Sequence, residues 1–312
     1  MTSHSSARGA RAVGGDAAVL AASAHLTGRD RYLVRMVGEH RVLTTGQLTA
    51  LGFGNVITAR HRLGVLVRLR MLRRFRPHRE VGSAPWHYLL GPLGAALLAA
   101  EDRDDKKWPP QVRTDRQLAL VQSQRLAHMT GTSWFFVSLA AHARGSGHGE
   151  LRCWLGEGAT ARYIYDWHHT STPDVLPHPD GLGIWAQDGR EVTFLLEYDT
   201  GSGHRPQLAA KLDGYAALAR DGYHQRTARI GLPLLFCFAT PRRETSARRA
   251  LAASASAAGL RIATCALDPR CTCPAGQVWM PLHGPARQVR LIDLPHALPT
   301  STGENPGDPY LP

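Results

Sequence analysis

Residues 27–90 read TGRDRYLVRMVGEHRVLTTGQLTALGFGNVITARHRLGVLVRLRMLRRFRPHREVGSAPWHYLL, and the architecture of the chain turns on how this stretch folds. Thr27-Gly-Arg-Asp30 has the form of a capping box with Asp in the third place, and Leu33, Met36 and Val37 follow at helical spacing. Thr44-Thr-Gly-Gln47 is a second capping box, opening a short helix that buries Leu48 and Leu51. Gly52-Phe-Gly54 breaks that helix, and Asn55 is placed to cap a third running to about Leu69. On the third helix Ala59, Leu63, Leu66 and Val67 share one face. Thr58, His61, Val65 and Arg68 lie opposite, flanked by Arg60 and Arg62. Arg73 to Arg76 then has the pattern of a strand, Pro77 to Ala84 of a basic loop, and Pro85 to Leu90 of a returning strand. The order predicts a helix-turn-helix completed by a β-hairpin, a winged helix, with its second helix turning polar and basic groups outward.

Charge points the same way. Between Arg29 and Ala100 stand twelve arginines, no lysine and three acidic residues (Asp30, Glu39, Glu80), a formal +9 of the +12 carried by the whole chain. Solvation of a small helical domain does not call for so much, whereas a nucleic-acid interface does. The residues expected to face duplex DNA are Thr58, Arg60, His61, Arg62 and Arg68 on the third helix, with Arg74, Arg76 and Arg79 on the hairpin. Of 37 basic residues only Lys106, Lys107 and Lys211 are lysine, so placement rather than abundance of arginine carries the argument.

A chain of 312 residues, 43% hydrophobic and 20% charged, has room for two modest domains. Residues 1–26 read as a disordered tail, 27–100 as the winged helix, 101–116 as a charged, proline-containing linker, 117–282 as a second domain and 283–312 as a loose C-terminal tail. No stretch approaches the length of a membrane span, so the expectation is a cytoplasmic protein with no membrane partner. Five cysteines, odd in number and sparse, argue against a disulfide framework. Cys265, Cys271 and Cys273 with His283 match no strong zinc pattern and read as core or loop residues.

From Arg116 to about Ala143 the pattern is helical, with Gly131-Thr-Ser expected to divide it in two. Strand patterns follow at Leu151 to Leu155, Ala161 to Tyr165, Thr172 to Leu176 and Gly183 to Ala186. Asp188-Gly189 is the strongest hairpin signal in the chain and joins the last of these to Glu191 to Asp199. A helix from about Pro206 to Ala219, a strand at Leu232 to Phe238, a helix from Thr245 to Ala258 and strands at Leu260 to Ala266 and Val278 to Pro281 complete it. The fold class is α+β, a winged helix followed by a mixed-sheet α/β sandwich.

Asp174, Glu197 and Asp199 stand out in this second half. Glu197 and Asp199 are two apart on an apolar strand and so share a face, and Asp174 follows Pro173 on a strand the hairpin could bring alongside. Three carboxylates converging at a sheet end would bind Mg2+ through oxygen, with Lys211 on the next helix approaching a phosphate. The competing reading is an acidic strand end with a structural role and a surface lysine.

The run DRYLVRMVGEHRVLTTGQLTALGFGNVITARHRLGVLVRLRMLRRFRPHREVGSAPWHYLLGPLGAALL and the run PDVLPHPDGLGIWAQDGREVTFLLEYDTGSGHRPQLAAKLDGYAAL are similar to the two halves of the actinobacterial replication-relaxation family. The resemblance spans about residues 27 to 240. It implies a winged-helix protein on double-stranded DNA, associated with replication or mobilisation of plasmids and integrated elements, with plasmid replication or transfer proteins as partners. The order Pro-Asp, Glu-x-Asp, then helix also resembles the PD-(D/E)xK nucleases, whose fold is restriction-endonuclease-like. In that family the strand motif ends in Lys; here Asp199 stands in that place, leaving Lys211 to substitute. Two classes of function remain, a DNA-binding accessory protein and a Mg2+-dependent, sequence-targeted nuclease in which Asp174, Glu197, Asp199 and Lys211 would be catalytic. Asp199 favours the first. Transcriptional regulation is a third, since winged helices serve it often.

Overall fold

The computed structural model describes residues 17–101, 125–168, 177–201, 211–218, 232–254, 257, 259–284 and 286–294. The chain divides into two compact units, Met1–Ser133 and Trp134–Pro312. The 101–116 linker expected from composition falls almost entirely outside the described residues.

The first unit comprises α1 (17–23), α2 (Gly28–His40), β1 (Leu43–Thr44), α3 (Thr45–Gly52), α4 (Val56–Arg68), β2 (Leu72–Phe75), β3 (His87–Leu90) and α5 (Pro92–Glu101). Both capping boxes form. The Thr27 N–H donates to the Asp30 carboxylate at 2.7 Å, and the Thr44 N–H to the Gln47 side-chain carbonyl at 2.7 Å. Asn55 Oδ1 accepts from Thr58 N–H at 2.9 Å and starts α4. Caps of this kind contribute about 1 kcal/mol each. The strands form one antiparallel sheet, order β1-β3-β2, with Leu43 opposite Tyr88 and Leu72 opposite Leu90. Leu33, Val37, Leu48, Ala59, Leu63, Leu66, Met71 and Tyr88 are buried in this unit. Gly91 is required where β3 turns into α5, because a Cβ there would lie 2.2 Å from the Arg70 carbonyl oxygen. Part of the expected tail is ordered: α1 lies within residues 1–26, and its Val19 and Ala22, one helical turn apart, are both buried.

Helix α6 (Arg125–Ser146) runs unbroken through Gly131, which was expected to divide it. A helical glycine costs only about 1 kcal/mol against alanine. Here the helix gains burial of Leu126 in one unit's cluster and of Phe135, Phe136 and Leu139 in the other's.

The second unit continues with β4 (Glu150–Gly156), α7 (Glu157–His168), β5 (Gly181–Gln187), β6 (Arg190–Asp199), α8 (211–218), β7 (Leu234–Phe238), α9 (Pro241–Ala253), β8 (Ile262–Ala266), β9 (Gln277–Pro281) and β10 (Val289–Arg290). These strands form one seven-stranded sheet, order β10-β9-β8-β7-β6-β5-β4. The β6-β7 and β7-β8 pairs are parallel and the others antiparallel, so the sheet is mixed. Alternation along β6 sorts its side chains: Val192, Phe194 and Leu196 pack with Phe135 and Phe136 of α6, Leu195 with Ile164 of α7 and Leu212 and Tyr215 of α8. Helices thus cover both faces. The Asp188-Gly189 turn forms with positive φ at both residues, 53° and 69°, as a two-residue hairpin demands.

Two expectations give way. Ala161 to Tyr165, read as an extension of the strand before it, lies in α7, where Ile164 is buried against Leu182 and Ile184. Residues 283–294, read as part of a loose tail, supply β10 and a 3-10 turn whose Leu291 and Ile292, with the following Leu294, are buried in the core. The expected strand Thr172 to Leu176 lies outside the described residues. Among the described residues no helix is long and apolar enough to cross a membrane.

Candidate nucleic-acid interface and carboxylate centre

Helix α4 presents the first candidate. Its buried stripe is Ala59, Leu63 and Leu66, and on the outside Thr58, Arg60, His61 and Arg68 are exposed. Exposed arginines continue on β2 and the loop after it, at Arg74, Arg76 and Arg79. Arg74 and Arg76 are two apart on one face and place their guanidinium carbons 4.3 and 4.2 Å from the centre of the Trp86 ring. Such stacking holds a flexible side chain extended while leaving its N–H donors outward. None of Arg60, Arg68, Arg74, Arg76 and Arg79 pairs with a carboxylate among the described residues. That separates these five from Arg31, Arg35 and Arg62 of the same unit, each of which does.

Arg62 departs from the expected outward set. Its Nε donates to Asp30 Oδ1 at 2.9 Å, and its Nη2 donates to Asp30 Oδ2 at 2.6 Å and to the His25 carbonyl at 2.7 Å. Asp30 is fully buried and also caps α2. Burial alone would raise its pKa, yet the hydrogen bonds from Arg62 and Thr27 outweigh burial and hold the carboxyl below its ordinary value. Arg62 is therefore a tie between α4 and α2. Arg62 sits at the border of the polar and apolar faces, and a buried carboxylate on the neighbouring helix draws it in.

The second candidate lies in the second unit. Glu197 and Asp199 do share a face of β6, but each is engaged by a different cation. The Glu197 carboxylate, 3% exposed, accepts from Lys211 Nζ and, at 2.6 Å, from the Tyr215 hydroxyl. Lys211 and Tyr215 are four apart on α8 and so address Glu197 from one helix face. Asp199 accepts from Arg243 Nε and Nη2 at 3.1 and 2.9 Å and from the Gly201 N–H at 2.5 Å. Asp174 lies outside the described residues. The acid that the structure does bring to Glu197 is Asp180. It clasps β6 on either side of Glu197: its carboxylate accepts from Tyr198 N–H at 2.7 Å, and its N–H donates to the Leu196 carbonyl at 2.9 Å.

Burial, and secondarily the charge of Asp180, push the Glu197 pKa up to about 7, against the opposing pull of Lys211 and Tyr215. Burial also drives the Tyr215 hydroxyl well above its ordinary value, with Glu197 adding to the effect. For Lys211 burial works downward, but the charges of Glu197 and Asp180 prevail and raise its pKa. The centre is thus a buried acid, an ammonium and a neutral phenol in one hydrogen-bonded set, able to hold or pass a proton near neutrality. Lys211 and Arg243 already neutralise the two carboxylates, and among the described residues no three His, Cys, Asp or Glu side chains are grouped to hold a metal.

Asp180, Tyr215 and Arg243 were not singled out from sequence. Asp180 had a signal, since Pro179-Asp180 repeats the Pro173-Asp174 dipeptide and directly precedes β5, the strand beside Glu197. Tyr215 had one too, at four residues from Lys211.

The fold and these two centres define an α+β protein with one strongly basic unit and one unit that holds a buried, internally paired carboxylate centre. Residues 34–232 match the model of the replication-relaxation family, and the chain belongs to that family. Comparison with curated proteins and with solved structures found no match.

Proposed function

We propose that the protein binds double-stranded DNA in the replication or mobilisation of plasmids and integrated elements, working with plasmid replication or transfer proteins. The first unit acts as a winged helix: α4 enters the major groove, and the β2-β3 hairpin lies against the backbone or minor groove. The observation that carries this reading is the set of exposed arginines at 60, 68, 74, 76 and 79, none paired with a carboxylate among the described residues, on α4 and the hairpin. The order of elements, helix, strand, helix, helix and hairpin in a β1-β3-β2 sheet, supports it, and so does membership in the family. The second unit serves as a scaffold in which Glu197, Lys211, Tyr215 and Asp180 brace β6 against α8.

The test is a mobility-shift titration of the full chain on duplex DNA across a salt series. Affinity should fall steeply as salt rises, because each phosphate contact releases counterions. Arg60→Ala with Arg68→Ala should weaken binding at unchanged thermal stability. A chain that shows no affinity for duplex DNA at low salt refutes the proposal.

A further inference from the structure

The outer face of α4 carries two features that folding does not ask for. Ile57 is 77% exposed and Val56 beside it 40%, in the first turn of a helix whose apolar stripe is elsewhere. An apolar side chain left in water gains nothing from the hydrophobic effect. Gly64 lies seven residues on, and with Arg60, His61 and Arg68 it continues the face that Ile57 begins. Glycine weakens a helix interior, and nothing nearby requires it. A Cβ at Gly64 would meet only the end of the Arg68 side chain, 3.7 Å away, an ordinary contact. One face therefore combines an apolar tip, a gap in the side-chain surface and flanking basic groups.

We propose that Ile57 reads a C5-methylated pyrimidine in the major groove, and that Gly64 lets the α4 backbone come close enough for it to do so. The inference rests on the DNA-binding reading above. In the major groove the C5-methyl of thymine is the apolar feature among donor and acceptor edges; 5-methylcytosine offers the same group. Arg60 and Arg68, exposed and without a carboxylate partner among the described residues, set the face against an anionic surface rather than against another protein.

The full chain is used to select duplexes from a random-sequence pool. The winning duplex is then remade with each thymine replaced in turn by deoxyuridine, and each cytosine by 5-methylcytosine. Losing one buried methyl should weaken binding roughly fourfold at one position. Ile57→Ala, which favours the helix, should bind the thymine duplex about as weakly and be indifferent to deoxyuridine. A gain on 5-methylcytosine that Ile57→Ala abolishes supports the same contact with the other base. Gly64→Ala should raise the melting temperature yet weaken binding. If the wild type is blind to every methyl change, or Ile57→Ala keeps the sensitivity, the inference is overturned. If Ile57→Ala alters the sedimenting mass and not DNA affinity, it is overturned in favour of a protein interface. If no duplex is enriched at low salt, the DNA-binding reading itself falls first.

Discussion

The two units differ in where their arginines without a carboxylate partner stand. In the second, Arg243 is fastened to Asp199, Arg190 and Arg290 to Asp293, and Arg152 to Glu191, while Arg242, Arg249 and Arg287 have no carboxylate partner among the described residues. In the first, Arg62 is fastened to Asp30, and Arg31 and Arg35 to Glu101, while Arg60, Arg68, Arg74, Arg76 and Arg79 have no carboxylate partner among the described residues. What marks the first unit is that five such arginines stand together on α4 and the hairpin. An arginine already neutralised by a carboxylate has little left for a phosphate, and an arginine without one repels its neighbours until an anion arrives.

The buried titratable groups sharpen the contrast, and the largest expected effect follows from them. In the first unit burial lowers the His40 pKa to about 3 and also lowers that of His87. His40 stays neutral in the fold while the unfolded chain takes up a proton below pH 6.5. That stability is present above pH 6.5 and lost as pH falls towards 3, by about 5 kcal/mol at the extreme. Glu197 behaves oppositely. Its folded pKa is raised from 4.5 to about 7, so its contribution is full below pH 4.5 and lost as pH rises through 7, by about 3 kcal/mol. Hydrogen exchange followed residue by residue across pH 4 to 8 should therefore show the first unit's amides losing protection towards acid and those of β6 and α8 losing it towards neutrality. Glu197→Gln should flatten the second profile alone. Parallel profiles in the two units would break the comparison.

Arg62→Ala comes next. Leaving the Asp30 carboxylate buried without its main partner should cost the first unit about 3 kcal/mol, read as a lowered denaturation midpoint. A variant of normal stability and impaired DNA binding would return Arg62 to the outward set. Smaller effects belong to the interface. Arg60→Ala and Arg68→Ala should each cost about 1–3 kcal/mol of DNA affinity if they meet base edges, with unchanged stability. Smallest of all, Arg76→Ala or Arg79→Ala should weaken all sequences alike and shallow the salt dependence by roughly one phosphate contact each. Loss of the Trp86 contact in Arg76→Ala should leave folding nearly untouched, since surface cation–π pairs contribute only about 0.5–1 kcal/mol.

Features that depend on a few adjacent residues could be read directly from the chain. Thr27 with Asp30, Thr44 with Gln47 and Asn55 with Thr58 each form their cap from groups three apart, and Asp188-Gly189 supplies both positive φ values from within the turn. The shared face of Glu197 and Asp199 likewise follows from strand alternation. What lay beyond such reading was which distant group each side chain would meet. Arg62 meets a carboxylate 32 residues earlier, Asp199 a guanidinium 44 residues later, and Tyr198 N–H an aspartate 18 residues before it. Leu291 and Ile292 look like tail until the sheet supplies a surface to cover them, and Gly131 looks like a break until the burial on either side outweighs it. A local pattern sets the caps, helices and tight turns, whose hydrogen-bond partners are near in sequence. Pairing of charges and the limits of the core are set by desolvation, which depends on everything that packs nearby, and only the tertiary structure decides that.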